Sequence, residues 1–194
     1  MGLAAQMYWD ENNGHAFRYR GIATNGGDVF WFGWLSRGAE GERTWDPVQA
    51  ALYPYLKGRG LEPCPALRPT APGYKAKARE VILGFGYNLL LSTPLGAPPF
   101  NTGRVTRPAG LAVFADAAQV NTFQAPASPN NPMLEEFYYV TTNEPTAHFR
   151  HNRQANAAFG DGHVAMEPAA EGSRDLRMPK EWVGRLRAEV LLVP

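Results

Sequence analysis

Cysteine is almost missing from this sequence: Cys64 is the only one in 194 residues, so no internal disulfide can form. Long apolar runs are missing too. Runs such as residues 81–83 and 89–91 fall far short of the roughly 20 residues that a membrane-spanning helix needs, and Met1 opens no signal-peptide pattern. Neither sign of charge is in excess. Nineteen Lys and Arg face 18 Asp and Glu, for a net charge of +1, and with no basic run a nucleic-acid partner is excluded on electrostatic grounds. The sequence also lacks a Gly-x-Ser-x-Gly elbow, a His-Glu-x-x-His pair and a phosphate loop, so the common hydrolase and nucleotide machineries are without their parts.

Turn formers, by contrast, are plentiful. Twenty Gly and 17 Pro are spread along the chain, which argues for many irregular connections and an α+β or β-rich fold over a helix bundle. The chain is long enough to bury an ordinary core as one domain, residues 1–194. Leu3, Met7 and Tyr8 recur at helical spacing and 10–14 (DENNG) reads as a stop, so a helix is expected that begins at or before Met1. Residues 29–35 (VFWFGWL) read as a strand or buried apolar segment, and Asp46-Pro47 as a capped helix start of about two turns, ended by Pro54. Strands are expected over 80–91, bent at Gly84 and Gly86, over 111–114 and over 137–142. Residues 58–72, 92–110 and 124–132 read as loops, and 181–192 as a C-terminal helix in which Gly184 is out of place.

The clearest local signal is Asp161-Gly162 between two extended runs, which predicts a hairpin with a two-residue turn. Pairing Gly160 with His163 places Ala157, Phe159, Val164 and Met166 on one apolar, core-facing side, and Asn156, Ala158, His163 and Ala165 on the other.

The same stretch carries a resemblance. His151, nine residues, then Asp161-Gly162, together with Arg150, Asn156, Phe159, His163 and Val164, resembles the C-terminal signature of the prepilin-type processing-associated H-X9-DG proteins, bacterial relatives of type IV pilins and type II secretion pseudopilins. Other pieces follow in order: 3–14 resembles the end of a pilin spine helix, 52–56 with Cys64-Pro65 a "PYL…CP" region, 86–88 a "YGYN" strand and 114–116 a strand end. The resemblance implies a pilin-like α+β fold: a spine-helix stub over 1–14, an antiparallel β-sheet with long Pro/Gly-rich loops, and a C-terminal hairpin over 147–168. It implies a non-enzymatic structural subunit of the cell envelope, periplasmic or extracellular, which meets other pilin-like subunits through an N-terminal membrane helix. On that reading the chain is a soluble piece that lacks this helix. A carbohydrate- or protein-binding domain on a pilin-type anchor, with a glycan or secreted protein as ligand, is the alternative, and a metal-dependent enzyme a more distant one.

The residues offer bland and sharp readings side by side. Asp161 is explained by turn chemistry and His151 by a structural hydrogen bond to the Asp-Gly turn or a nearby carbonyl. No cofactor is required. The candidate metal ligands are Asp116, His151, Asp161 and His163. His148 and His151, three apart, would point to opposite faces of one strand, which disfavours zinc. Calcium would need six or more oxygens, of which Asp116 and Asp161 supply a start. Cys64, between two prolines and with no histidine near it in sequence, reads as a half-buried structural thiol. Glu135-Glu136 reads as a solvated strand entry. Trp9, Trp31, Trp34 and Trp45, with Tyr8, Phe30 and Phe32, form either core or a sugar-stacking patch, depending on whether Trp31 and Trp34 are exposed together.

Overall fold

The computed structural model describes residues 1–56, 61–80 and 83–192. The expected loop residues 58–60 and strand residues 81–82 lie outside them. An N-terminal helix, α1 (Gly2–Glu11), leads into β1 (Arg20–Thr24), β2 (Gly27–Phe30), β3 (Gly33–Ser36) and β4 (Trp45–Asp46). There follow β5 (Tyr74–Lys75), β6 (Phe85–Asn88), β7 (Ala112–Asp116), β8 (Ala118–Asn121), β9 (Met133–Glu136), β10 (Tyr139–Val140), β11 (Ala147–His148), β12 (Gln154–Phe159), β13 (Val164–Pro168), β14 (Val183–Gly184) and a last helical turn, α2 (Ala188–Leu191). The α+β class holds.

The single antiparallel sheet expected from the sequence becomes four sheets among the described residues. The central one has the order β10-β6-β7-β12-β13, a meander β1-β2-β3-β4 stands beside it, and β5-β9-β8 and β11-β14 are smaller. Two of the pairings, β10 with β6 and β5 with β9, are parallel. The central sheet is covered on both faces, which explains why all five residues of β7 are buried. On one face Tyr87 and Phe114 join Trp9, Phe17, Trp31 and Phe32 in the largest apolar cluster. On the other, Ala115, Ala155, Ala157 and Phe159 pack with Phe149, Leu186, Val190 and Leu191.

Helix α1 forms where expected but presents a different side. Its inner face is Gly2, Ala4, Ala5 and Trp9, while Leu3 is 67% and Met7 42% exposed. Small residues let the helix lie close: the Gly2 Cα faces Ala158 and the Gly162 carbonyl, and the Gln6 side-chain amide donates to the Gly160 carbonyl at 3.0 Å. Asp46 caps as read, its carboxylate accepting from the Val48 N–H at 3.0 Å, but the helix it starts is one 3-10 turn, Pro47–Gln49. The aromatic run 29–35 is a hairpin whose turn, Trp31-Phe32, is buried. The Trp31 indole N–H donates to the Tyr138 carbonyl at 2.9 Å. With Trp31 buried, the exposed aromatic patch that a sugar-binding reading needs is not formed.

The expected C-terminal helix is mostly absent. Trp182 has a left-handed backbone, φ 52, and Val183–Gly184 pairs with β11 instead. A side chain at residue 184 would sit 3.2 Å from the Phe149 ring and the Ser173 hydroxyl, so glycine there serves a close strand approach.

Candidate functional site

The histidine and the Asp-Gly of the H-X9-DG segment stand at opposite ends of one strand. Asn152 (φ 53) and Arg153 (φ 65) form a two-residue turn, closed by His151 N–H to Gln154 C=O and Gln154 N–H to His151 C=O, both 3.0 Å. Both positive φ values mark the mirror-image turn that suits a right-handed strand twist. Strand β12 then runs six residues, roughly 20 Å at strand rise, before the second turn. His151 therefore does not tie its ring to the Asp-Gly turn.

That second turn also differs from expectation. Ala158 pairs with Val164 and Ala157 with Ala165. The Phe159 N–H donates to His163 C=O and the Gly162 N–H to Phe159 C=O, both at 2.9 Å. Three residues, 160–162, make the loop, and of Asp161 and Gly162 only Gly162 (φ 92) is left-handed. The one-residue slip turns β13 over. Ala157 and Phe159 face the core as read, but Val164 and Met166 are 65% and 44% exposed. The slip also makes His163 the cross-strand partner of Phe159, and their rings stack at 4.4 Å with 5° between planes. His163 Nδ1 lies 2.6 Å from Asp161 Oδ1, and this contact holds the Asp161 carboxyl below its ordinary range.

The four candidate ligands therefore split. Asp161 and His163 pair on the exposed turn. Asp116 and His151 meet at the other end of β12, so Asp116 and Asp161 offer calcium no common set of oxygens. Asp116 ends β7 and is fully buried. Its Oδ1 accepts from Arg150 Nη2 at 2.5 Å and its Oδ2 from the Asn156 backbone N–H at 2.7 Å. That is the structural contribution of Asn156. Burial pushes the Asp116 carboxyl up against the pull of Arg150, the Asn156 N–H and His151. His151 Nε2 lies 3.3 Å from Asp116 Oδ2.

The unexpected member is Cys64. Its Sγ lies 3.6 Å from His151 Nε2, and Sγ, Nε2 and an Asp116 oxygen all fall within 4.8 Å of one another. Cys64 precedes a 3-10 turn, Pro65–Leu67, whose Leu67 is buried with Tyr74 and Leu134; that anchor presents the half-buried thiol to the sheet end. A nucleophilic relay needs the thiol on one imidazole nitrogen and the carboxylate on the other. Here both approach Nε2, so the three form no such relay. His148 meets the cluster through Arg150, Nδ1 to Nη1 3.3 Å; it is buried in β11, where burial, aided by the Arg150 charge, pushes its pKa down to about 3.

Glu135 and Glu136, read as a solvated entry, are both fully buried in β9. Glu135 holds Lys75 Nζ at 2.5 Å and Lys77 Nζ at 3.0 Å, with Asn121 Nδ2 at 3.1 Å and Gln119 also bonded. Both lysines reach Glu40 as well. Glu136 accepts from the Leu83 and Lys77 backbone N–H groups. No family model, curated protein or solved structure matches the chain.

Proposed function

We propose that this chain is a non-enzymatic structural subunit of a pilus- or pseudopilus-like bacterial envelope assembly. What carries the reading is the relation of α1 to the central sheet. The helix lays its small-residue face against Ala158 and the Gly160–Gly162 turn, as the end of a spine helix would. It stops short of β13. An apolar groove of about 320 Å³ remains, floored by Phe85, Phe114, Ala158 and Val164 and rimmed by Met1 and Gly2. Val164, on the groove itself, stays exposed, as do Leu3 and Met7 of α1 and Met166 of β13. Exposed apolar surface of this kind is what lateral subunit contacts use. No helix among the described residues is long and apolar enough to cross a membrane.

The test is photo-crosslinking in the bacterium that encodes the chain, with a photoreactive residue at Leu3 or Val164 and, as control, at exposed Ile22. A ladder of crosslinked subunits from Leu3 and Val164, recovered with sheared surface material or envelope, is expected. Monomer alone, recovered in the cytoplasm, overturns the reading.

A further inference from the structure

We propose that Cys64, Asp116 and His151 hold a single zinc ion, with one coordination position left for water or a donor from another molecule. Zinc bonds run about 2.3 Å to thiolate sulfur, about 2.0–2.1 Å to imidazole nitrogen and about 2.0–2.2 Å to carboxylate oxygen. At tetrahedral angles those bonds set ligand-to-ligand edges of about 3.6 Å for S···N and about 3.3–3.4 Å for N···O. Cys64 Sγ to His151 Nε2 is 3.6 Å, and His151 Nε2 to Asp116 Oδ2 is 3.3 Å. Cys64 Sγ and an Asp116 oxygen lie within 4.8 Å of each other, against about 3.6 Å for that edge in a zinc tetrahedron, so the thiol would close in as the ion binds. The convergence of sulfur and oxygen on one imidazole nitrogen, which defeats a proton relay, is what a shared cation requires.

The donor chemistry selects the metal. One soft thiolate, one imidazole and one carboxylate suit zinc and are foreign to the all-oxygen shells of calcium and magnesium. Thiolate and carboxylate together neutralise a divalent ion. The outer shell is already built: Asp116 Oδ1 is held by Arg150 and Oδ2 also accepts the Asn156 N–H, and Arg150 is fixed in turn by the Gly84 carbonyl at 2.7 Å. Ligating carboxylates are usually oriented by such partners. The His151 side chain keeps 28% of its surface exposed, which gives the ion a way in and the fourth position a way out. Bound metal would clamp the loop that carries Cys64 to the ends of β7 and β12, a cross-link between segments 87 residues apart.

The experiment is titration of the chelator-treated chain with cobalt(II), then zinc(II), in the absence of any affinity tag. One cobalt per chain with a sulfur-to-metal charge-transfer band and intense tetrahedral d–d bands is expected, displaced by zinc. Zinc should also slow alkylation of Cys64, and a chelator should restore it. Cys64→Ser should abolish the charge-transfer band, and His151→Ala should weaken affinity by more than the roughly 10–100-fold that loss of an outer-shell partner costs. His163→Ala should change nothing. A spectrum with no sulfur band, a band that survives in Cys64→Ser, or binding lost in His163→Ala overturns the proposal.

Discussion

Lys75 Nζ lies 2.5 Å from Glu135 Oε1 with both side chains buried, and Lys77 reaches the other carboxylate oxygen at 3.0 Å. Glu40 supplies a second anion to the two ammonium groups and also meets the more exposed Arg43 at 3.6 Å. Removing one partner strands a charge out of water, which costs about 3–5 kcal/mol. Glu135→Ala is therefore expected to lower stability by about that amount in urea unfolding, whereas Arg20→Ala, which breaks an exposed pair with Asp28, should cost under about 1 kcal/mol.

Acid should unfold the protein in two stages. Burial holds the His148 pKa down to about 3 against an ordinary 6.5, so below pH 6.5 the unfolded chain takes up a proton that the native one refuses. Burial would raise Glu135, but the Lys77 charge and hydrogen bonds from Lys75 and Gln119 hold it down to about 2 against 4.5. Its stabilisation is present above 4.5 and is lost as pH falls toward 2. Each group erodes stability by about 1.4 kcal/mol per pH unit within its window. Urea midpoints should fall from about pH 6.5 downward and more steeply below about pH 4.5. His148→Asn should flatten the upper stage alone.

The three-residue loop makes a prediction about register. Val164→Thr should change stability by less than about 0.5 kcal/mol, since the side chain faces out. Phe159→Ala on the opposing strand should cost about 3–5 kcal/mol. A buried Val164, as a two-residue turn demands, would make both substitutions expensive.

Gly162 is the conformationally demanding half of the Asp-Gly pair. At φ +92 a side chain is strained, and it would stand 3.1 Å from the Gln6 amide. Gly162→Ala is expected to cost about 1–2 kcal/mol, more than Asp161→Ala, which loses only exposed contacts to His163. Thermal unfolding of the two variants ranks them.

Local signals survived into the structure wherever the chain decides its own conformation. Helix α1, the Asp46 cap, strand β12 and the position of the Asp-Gly turn were all legible. The turn's type was not, because Asp-Gly serves a two-residue turn and a three-residue loop alike. Asn25-Gly26 (φ 50 and 76), a dipeptide with the same turn chemistry, does form a two-residue turn. What depends on distant partners was hidden. Glu135 is buried because Lys75 lies 60 residues away, and nothing near Cys64 in sequence announces His151. The exposed side of α1 carries its largest aliphatic residues, so apolar spacing named the helix but not its buried face.

The nine residues between His151 and Asp161 act as a gauge block. One residue more or fewer within β12 would exchange inside for outside, turning Ala155, Ala157 and Phe159 to the α1 side and Asn156 and Ala158 to the other core. Two more would restore that parity but carry the Asp-Gly turn roughly 6–7 Å past Gln6 and Pro108, which now hold it at the Gly160 carbonyl and N–H. An odd change fails on facing and an even change fails on reach, so the spacing tolerates neither.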